Sequence, residues 1–198
     1  MPQQYSHKSA FAIIIVSWHS SVIIGYQELL PAKEADREKI FSWLTQSDLT
    51  SSMFVENDHP IPTWEEFCTD YTSDFFNTFG DGKGRNYIIL LNNMDIGTIG
   101  YDLLDRIKER VVLDIWMKSE KYCGKGYGSE ALETLCKYLN KIYNITNFVI
   151  SPSIDNKRAI AAYMKAGFGI IKTLTKEEQE KEFGLAENAV NVLMMKSL

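Results

Sequence analysis

A chain of 198 residues is long enough for one domain to bury its own core without disulfide or metal staples. Hydrophobic residues at 45% and charged residues at 24% exclude global disorder, collagen and coiled coil. The net charge of −5 supplies no basic face for a nucleic-acid backbone and suits a cationic partner better than an anionic one.

Residues 1–20 read as an N-terminal extension and 21–198 as one domain. Ala10 to Gly25 is mostly apolar, with Lys8 before it. Two readings of that run stand: one or two strands, from its β-branched residues, or a secretory signal. It is interrupted before it is long enough to span a bilayer as a helix.

Ile23 to Leu30 reads as a strand running into Pro31, and Glu34 to Leu44 as a helix with Ile40, Phe41 and Leu44 on one side. Thr63-Trp64-Glu65-Glu66 is a capping box that opens a helix in which Phe67, Tyr71 and Phe75 recur every four residues. Those aromatics read first as core, and second as one wall of a pocket. Gly80 to Gly84 reads as a mobile linker. A hairpin follows: Tyr87 to Leu91, a turn around Asn92 to Asp95, then Ile96 to Leu104.

Val111 to Met117 is a further strand, leading into a glycine-rich turn and a helix from Ser129 with a stripe of Leu132, Leu135, Leu139 and Ile142. Phe148 to Ile150 is a short buried strand. Asn156 opens a helix that Gly167 ends in the left-handed conformation. Phe168 to Thr173 and Ala189 to Met195 are strands around a charged helix, Lys176 to Glu182. This order predicts a mixed sheet covered by helices, an α/β or α+β domain.

Cys68, Cys123 and Cys136 are odd in number and widely spaced, and His7, His19 and His59 lie apart from them. Neither a disulfide framework nor a metal-ligand pattern follows, and the chain reads as cytoplasmic and metal-free. Cys123 has a second reading as a reactive thiol, since a nearby helix N-terminus lowers thiol pKa.

The stretch Cys123-Gly124-Lys125-Gly126-Tyr127-Gly128-Ser129 lies between a strand and an amphipathic helix. Alternating glycines let successive N–H groups face one concavity, and the helix end behind adds its own. The spacing fits neither the dinucleotide nor the Walker pattern, so the residues alone leave a phosphate cradle and a plain turn equally open.

About thirty residues later comes Asn156-Lys157-Arg158-Ala159-Ile160-Ala161-Ala162-Tyr163-Met164-Lys165-Ala166-Gly167-Phe168. With the glycine loop, this closely resembles the GNAT superfamily of acyl-CoA N-acyltransferases, which carries Arg/Gln-x-x-Gly-x-Gly/Ala before its central helix and Asn-x-x-Ala-x-x-x-Tyr-x-Lys-x-Gly-Phe after it. The second motif matches throughout. In the first, Gly126 and Gly128 match and Cys123 replaces the Arg or Gln. The resemblance covers roughly residues 23–198.

It implies the GNAT fold: a mixed, largely antiparallel sheet of six to seven strands, splayed at the middle and flanked by about four helices. It implies acetyl-CoA as co-substrate, with its pyrophosphate on the Cys123–Ser129 amides and its pantetheine arm beside Met117 and Lys118. Asn156 and Lys165 complete the cofactor side. The Met117 N–H would take an oxyanion-hole role, and Tyr163 would protonate the departing thiolate. A second reading leaves Tyr163 as packing against the sheet.

Asp114 stands in an otherwise apolar strand, where a carboxylate must be paired or lie in a cleft. It either pairs with Arg106, Lys108 or Arg110, or orients an ammonium at the acceptor slot and receives its proton. Among GNAT proteins, the aminoglycoside 6′-N-acetyltransferases resemble this chain in an Asp placed ten residues before Gly124-Lys125-Gly126. They also tend to carry an Asp at the end of the following strand, where this chain has Ser151.

The expected activity is direct acetyl transfer to a primary amine of a polyamino small molecule such as an aminoglycoside, with Asp114, Trp116 and Ser151 on the acceptor side. Acetylation of a protein N-terminus or lysine, of a siderophore-type amine, and non-catalytic acetyl-CoA binding are the alternatives. No nucleic acid or membrane partner is expected, and the chain reads as a monomer or homodimer.

Overall fold

The computed structural model describes residues 22–24, 27–54, 60–77, 84–105, 110–183 and 190–198. The N-terminal extension, the histidines and residues 80–83 of the glycine-rich linker lie outside them, as do Arg106 and Lys108.

Eight strands form one sheet: β1 (Val22–Ile24), β2 (Gln27–Pro31), β3 (Gly84–Leu91), β4 (Met94–Asp105), β5 (Arg110–Met117), β6 (Asn147–Ile150), β7 (Gly169–Leu174) and β8 (Asn191–Ser197), in the order β1-β2-β3-β4-β5-β6-β8-β7. The strand expected over Ile23 to Leu30 is instead two, paired antiparallel from Val22↔Leu29 to Ile24↔Gln27. Gly25 interrupts the β-branched run at that point. Among the described residues every strand pairing is antiparallel except β5 with β6.

The helices are α1 (Arg37–Thr45), α2 (Thr50–Met53), α3 (Trp64–Asp70), α4 (Tyr127–Tyr143), α5 (Lys157–Lys165) and α6 (Lys176–Phe183). The four-residue α2 was not foreseen, and α3 is shorter than the aromatic spacing predicted. Tyr71 caps the C-terminus of α3, and Phe75 sits in a 3-10 turn, Ser73–Phe76.

Local chemistry explains the turns that matter. Asn92 and Asn93, at φ 51° and 63°, make a two-residue hairpin between β3 and β4, since Asn tolerates the left-handed region. In α3, Thr63 Oγ1 accepts the Glu66 N–H at 3.2 Å and the Glu66 carboxylate accepts the Thr63 N–H at 2.8 Å, as the capping box predicts. Asn156 caps α5 by accepting the Ala159 N–H at 3.0 Å, and Gly167 follows with φ 90°.

Strand alternation splits the core into layers. Tyr87, Ile89, Ile99, Tyr101, Leu113, Met117, Phe148 and Met194 face Leu132, Leu135 and Leu139 of α4. Full burial of each leucine contributes roughly 1.5–3 kcal/mol. Ile142, the last residue of the expected stripe, is 41% exposed, beyond the reach of the sheet. On the opposite face, Ile88 and Trp116 pack with Ile40, Trp43 and Leu44 of α1 and with Phe67 and Phe76. Asp114 shares that face with Trp116, two residues away.

The parallel pairing of β5 with β6 runs only from Arg110↔Asn147 to Val112↔Val149. Beyond it the strands diverge, so residues 113–117 of β5 have β4 on one side and a slot on the other.

Candidate active site

The slot leads into a cavity of about 380 Å³. Ile115, Trp116 and Met117 of β5 form one wall, and Asn156, Arg158, Tyr163 and Lys165 from the α5 segment another. The floor is the glycine loop, through Cys123, Gly124, Gly126, Gly128 and Ser129, and Leu49, Ser52 and Met53 close the far end.

The loop is shaped by backbone conformations that side chains resist. Gly124 has φ 68° and Gly126, the N-cap of α4, has φ 90°. A Cβ on Gly126 would stand 3.4 Å from Lys165 Nζ, so the lysine lies close over the loop. Ser129 is held by its hydroxyl, which donates to the Ala162 carbonyl at 2.8 Å and ties α4 to α5. Among the described residues, the cavity lining includes two cations, Arg158 and Lys165, and no carboxylate. Loop amides, a helix N-terminus and two cations form a donor set that fits a pyrophosphate-bearing ligand such as coenzyme A.

At the strand end, the Lys118 N–H donates to the Ile96 carbonyl at 2.9 Å. N–H groups alternate sides along a strand, so the Met117 N–H is turned from β4 toward the slot. Lys118 itself stands away from the cavity, its ammonium 5.8 Å from the Trp43 ring centroid. Lys125 and Tyr127 line an adjoining depression of about 270 Å³ with Glu130, Glu133 and Lys137, and Lys165 borders both. Ser151 is partly buried beyond the end of β6 and is not part of the cavity wall.

Tyr163 packs partly against the α4-side core and also faces the cavity. Burial raises its hydroxyl pKa well above the ordinary tyrosine range, and the Asp114 carboxylate adds to the shift. Tyr163 comes from the α5 layer and Asp114 from the opposite face of the sheet. Their electrostatic contact therefore acts across the splay. Asp114 itself is exposed, stands opposite Gly100 on β4, and accepts a hydrogen bond at Oδ2 from the hydroxyl of Tyr71.

Burial pushes the Cys123 thiol above its usual value, outweighing the nearby Arg158 charge. The thiol is therefore protonated at neutral pH, against the reactive-thiol reading. Its Sγ sits 3.9 Å from the Ser119 carbonyl.

Three residues of the site were not singled out from the sequence. Tyr71 reads from its spacing as core or as one wall of a pocket, not as a partner of Asp114, and no local pattern marks Asp48 or Arg158. Asp48 accepts the Glu120 N–H at 2.8 Å and the Ser119 hydroxyl at 2.9 Å, fixing the turn that leaves β5. Arg158 forms an ion pair with Glu120, joining α5 to the same turn. Among the described residues there is no cluster of His, Cys, Asp and Glu placed to hold a metal, and no helix long and apolar enough to cross a membrane.

Fold and cleft together describe a splayed sheet that opens onto a glycine loop able to take a pyrophosphate-bearing ligand. The family model for the acetyltransferase (GNAT) domain matches residues 28–169, and the chain belongs to the GNAT acetyltransferases.

Solved structures agree in fold. The structure of AAC(6')-Ib in complex with paromomycin and acetyl-CoA is 20% identical, with a TM-score of 0.67 over 87% of this chain and 94% of that one. The ribosomal L7/L12 alpha-N-protein acetyltransferase RimL in complex with coenzyme A is 17% identical, with a TM-score of 0.69 over 90% and 98%. A spermidine N-acetyltransferase SpeG chimera from Vibrio cholerae and hSSAT is 16% identical, with a TM-score of 0.64 over 87% and 96%. Their acceptors differ in kind, so the shared fold does not select one.

Proposed function

We propose that the domain over residues 21–198 transfers an acetyl group from acetyl-CoA to a primary amine of a polyamino small molecule, an aminoglycoside being the model acceptor. The observation that carries this reading is that Met117 and Tyr163 line one cavity beside the splay of β5 and β6, with the Asp114 carboxylate near enough to Tyr163 to raise its hydroxyl pKa.

Acetyl-CoA supplies the activated acetyl group as a thioester. The amides of the Gly124–Ser129 loop, with Lys165 over Gly126, hold its pyrophosphate, and Asn156 and Arg158 stand along the remaining cofactor wall. The Met117 N–H faces the thioester carbonyl oxygen and stabilises the negative charge that develops there.

On the other side of the slot, Asp114 binds the acceptor ammonium and takes its proton, directly or through water, because only the neutral amine has a lone pair for attack. Trp116 walls the acceptor beside it. Tyr163 keeps its proton at neutral pH, being shifted upward, and delivers it from Oη to the departing sulfur, and the second proton that the attacking nitrogen sheds as the amide forms restores the phenol through solvent. The three free thiols suit a reducing, cytoplasmic setting.

The acceptor class is tested by following thiol release from acetyl-CoA against aminoglycosides, spermidine-type polyamines and short peptides. Turnover with aminoglycosides supports the reading, and turnover with peptides alone moves the assignment to protein acetylation. Acetyl-CoA binding without turnover on any amine would mark a non-catalytic binding protein.

A further inference from the structure

The contact between Tyr71 and Asp114 joins residues 43 positions apart. Tyr71 is placed with more care than packing needs. Its N–H donates to the Phe67 carbonyl at 2.8 Å, and its own carbonyl accepts from Arg37 Nη2 at 2.5 Å, which fastens the end of α3 to α1. The same guanidinium donates to the Cys68 carbonyl at 3.0 Å and lies 5.6 Å from the Phe76 ring centroid.

The Tyr71 ring stacks on Phe67 at 4.9 Å and meets Trp116 edge-on at 5.7 Å and Phe75 at 6.0 Å. A phenylalanine would make all three ring contacts. The hydroxyl adds a polar atom to an aromatic cluster, a cost unless it finds an acceptor. It finds the one carboxylate that β5 carries beside Trp116.

Asp70 and Asp102 also bear negative charge near the Tyr71 hydroxyl, and Gly100, opposite Asp114 on β4, offers no side chain to pack against it. A neutral donor fixed by aromatic packing restrains the carboxylate without cancelling its charge.

We infer that Tyr71 is a positioning residue for acetyl transfer: its hydroxyl holds Asp114 in the orientation that receives the acceptor amine, and α3 thereby sets the geometry of the acceptor side. The inference rests on the reading of Asp114 as the acceptor carboxylate. It assigns a role in the reaction to a segment that otherwise only covers the sheet.

The test is a double-mutant cycle on the full chain with Tyr71→Phe and Asp114→Asn. It is read by steady-state kinetics on whichever amine the wild-type protein acetylates best, by acetyl-CoA affinity from calorimetry, and by melting temperature. Tyr71→Phe keeps the ring contacts and removes only the donor. It is expected to lower kcat/KM for the amine roughly 10- to 100-fold, the range of a hydrogen bond to a charged group. Acetyl-CoA affinity and melting temperature should stay at wild-type values. In the Asp114→Asn background the same change should cost almost nothing further, because the group it positions is gone.

Tyr71→Phe within twofold of wild type, or a loss that adds in full to that of Asp114→Asn, overturns the inference while leaving Asp114 in place. Near wild-type turnover by Asp114→Asn alone overturns the reading of Asp114 and the inference with it. A fall in acetyl-CoA affinity or melting temperature that parallels the kinetic loss would make Tyr71 a structural residue.

Discussion

At Gly126 a left-handed backbone conformation and the proposed cofactor site coincide. Its φ of 90° is strained for any residue with a Cβ, and that Cβ would approach Lys165 Nζ to 3.4 Å. Gly126→Ala should therefore lower stability by about 1–2 kcal/mol and weaken acetyl-CoA binding as the loop amides and the lysine shift. Denaturant unfolding and calorimetric titration read the two effects separately. Tyr163 presents the opposite case, a side chain whose removal should spare the fold. Tyr163→Phe keeps the ring and its contact with Phe168, at 6.5 Å between centroids, and deletes only the transferable proton. The expected result is a fall in kcat of about 100-fold with acetyl-CoA affinity unchanged. Unchanged kcat would remove Tyr163 from the proton path.

Among the elements, α3 is the one whose formation depends most visibly on a single residue. Seven residues form a marginal helix, and the Thr63 cap satisfies one of its orphan N–H groups. Thr63→Ala should cost about 1 kcal/mol of stability, read as a lower denaturant midpoint. Because α3 ends on Tyr71, the same variant should raise KM for the amine more than it alters acetyl-CoA affinity.

The Thr63 cap, the glycine loop and the Asn156-capped helix α5 are all legible in the sequence. Each is a local pattern, in which residues within a few positions of one another dictate a backbone conformation. Asp114 was legible for a related reason, since a carboxylate inside an apolar strand demands an explanation. The partners that complete the site were not. Asp48 lies 72 residues from the Glu120 N–H that it accepts, and Tyr71 lies 43 residues from Asp114. Periodicity says which face of an element a residue occupies, not what stands opposite. The same limit explains α2, which is too short to show a period.

For the molecule as a whole, the tyrosines set a boundary on stability. Burial pushes the hydroxyls of Tyr71, Tyr87, Tyr101, Tyr138 and Tyr163 above the ordinary value of 10.0. Below pH about 10 these groups are protonated in both the folded and unfolded chain, so they give stability no pH dependence there. Above it the unfolded chain gives up protons that the folded chain retains, and stability falls as pH rises. The melting temperature should be insensitive to these groups near neutrality and drop steeply above pH about 10. Absorbance from these five tyrosinates should appear together with the loss of near-ultraviolet dichroism. Normal titration of all the tyrosines with the fold intact would contradict the burial described for them.

The splayed sheet places a cleft on one side of β5 and the Asp114 carboxylate on the other, and the central claim is that the slot between them is where acetyl transfer occurs. The most direct test compares Asp114→Ala with wild type in one pair of assays: acetyl-CoA binding by calorimetry, and amine-dependent thiol release with an aminoglycoside. The account predicts equal acetyl-CoA affinity and a loss of at least about 100-fold in kcat/KM for the amine. An Asp114→Ala variant that turns over the amine at the wild-type rate would contradict it.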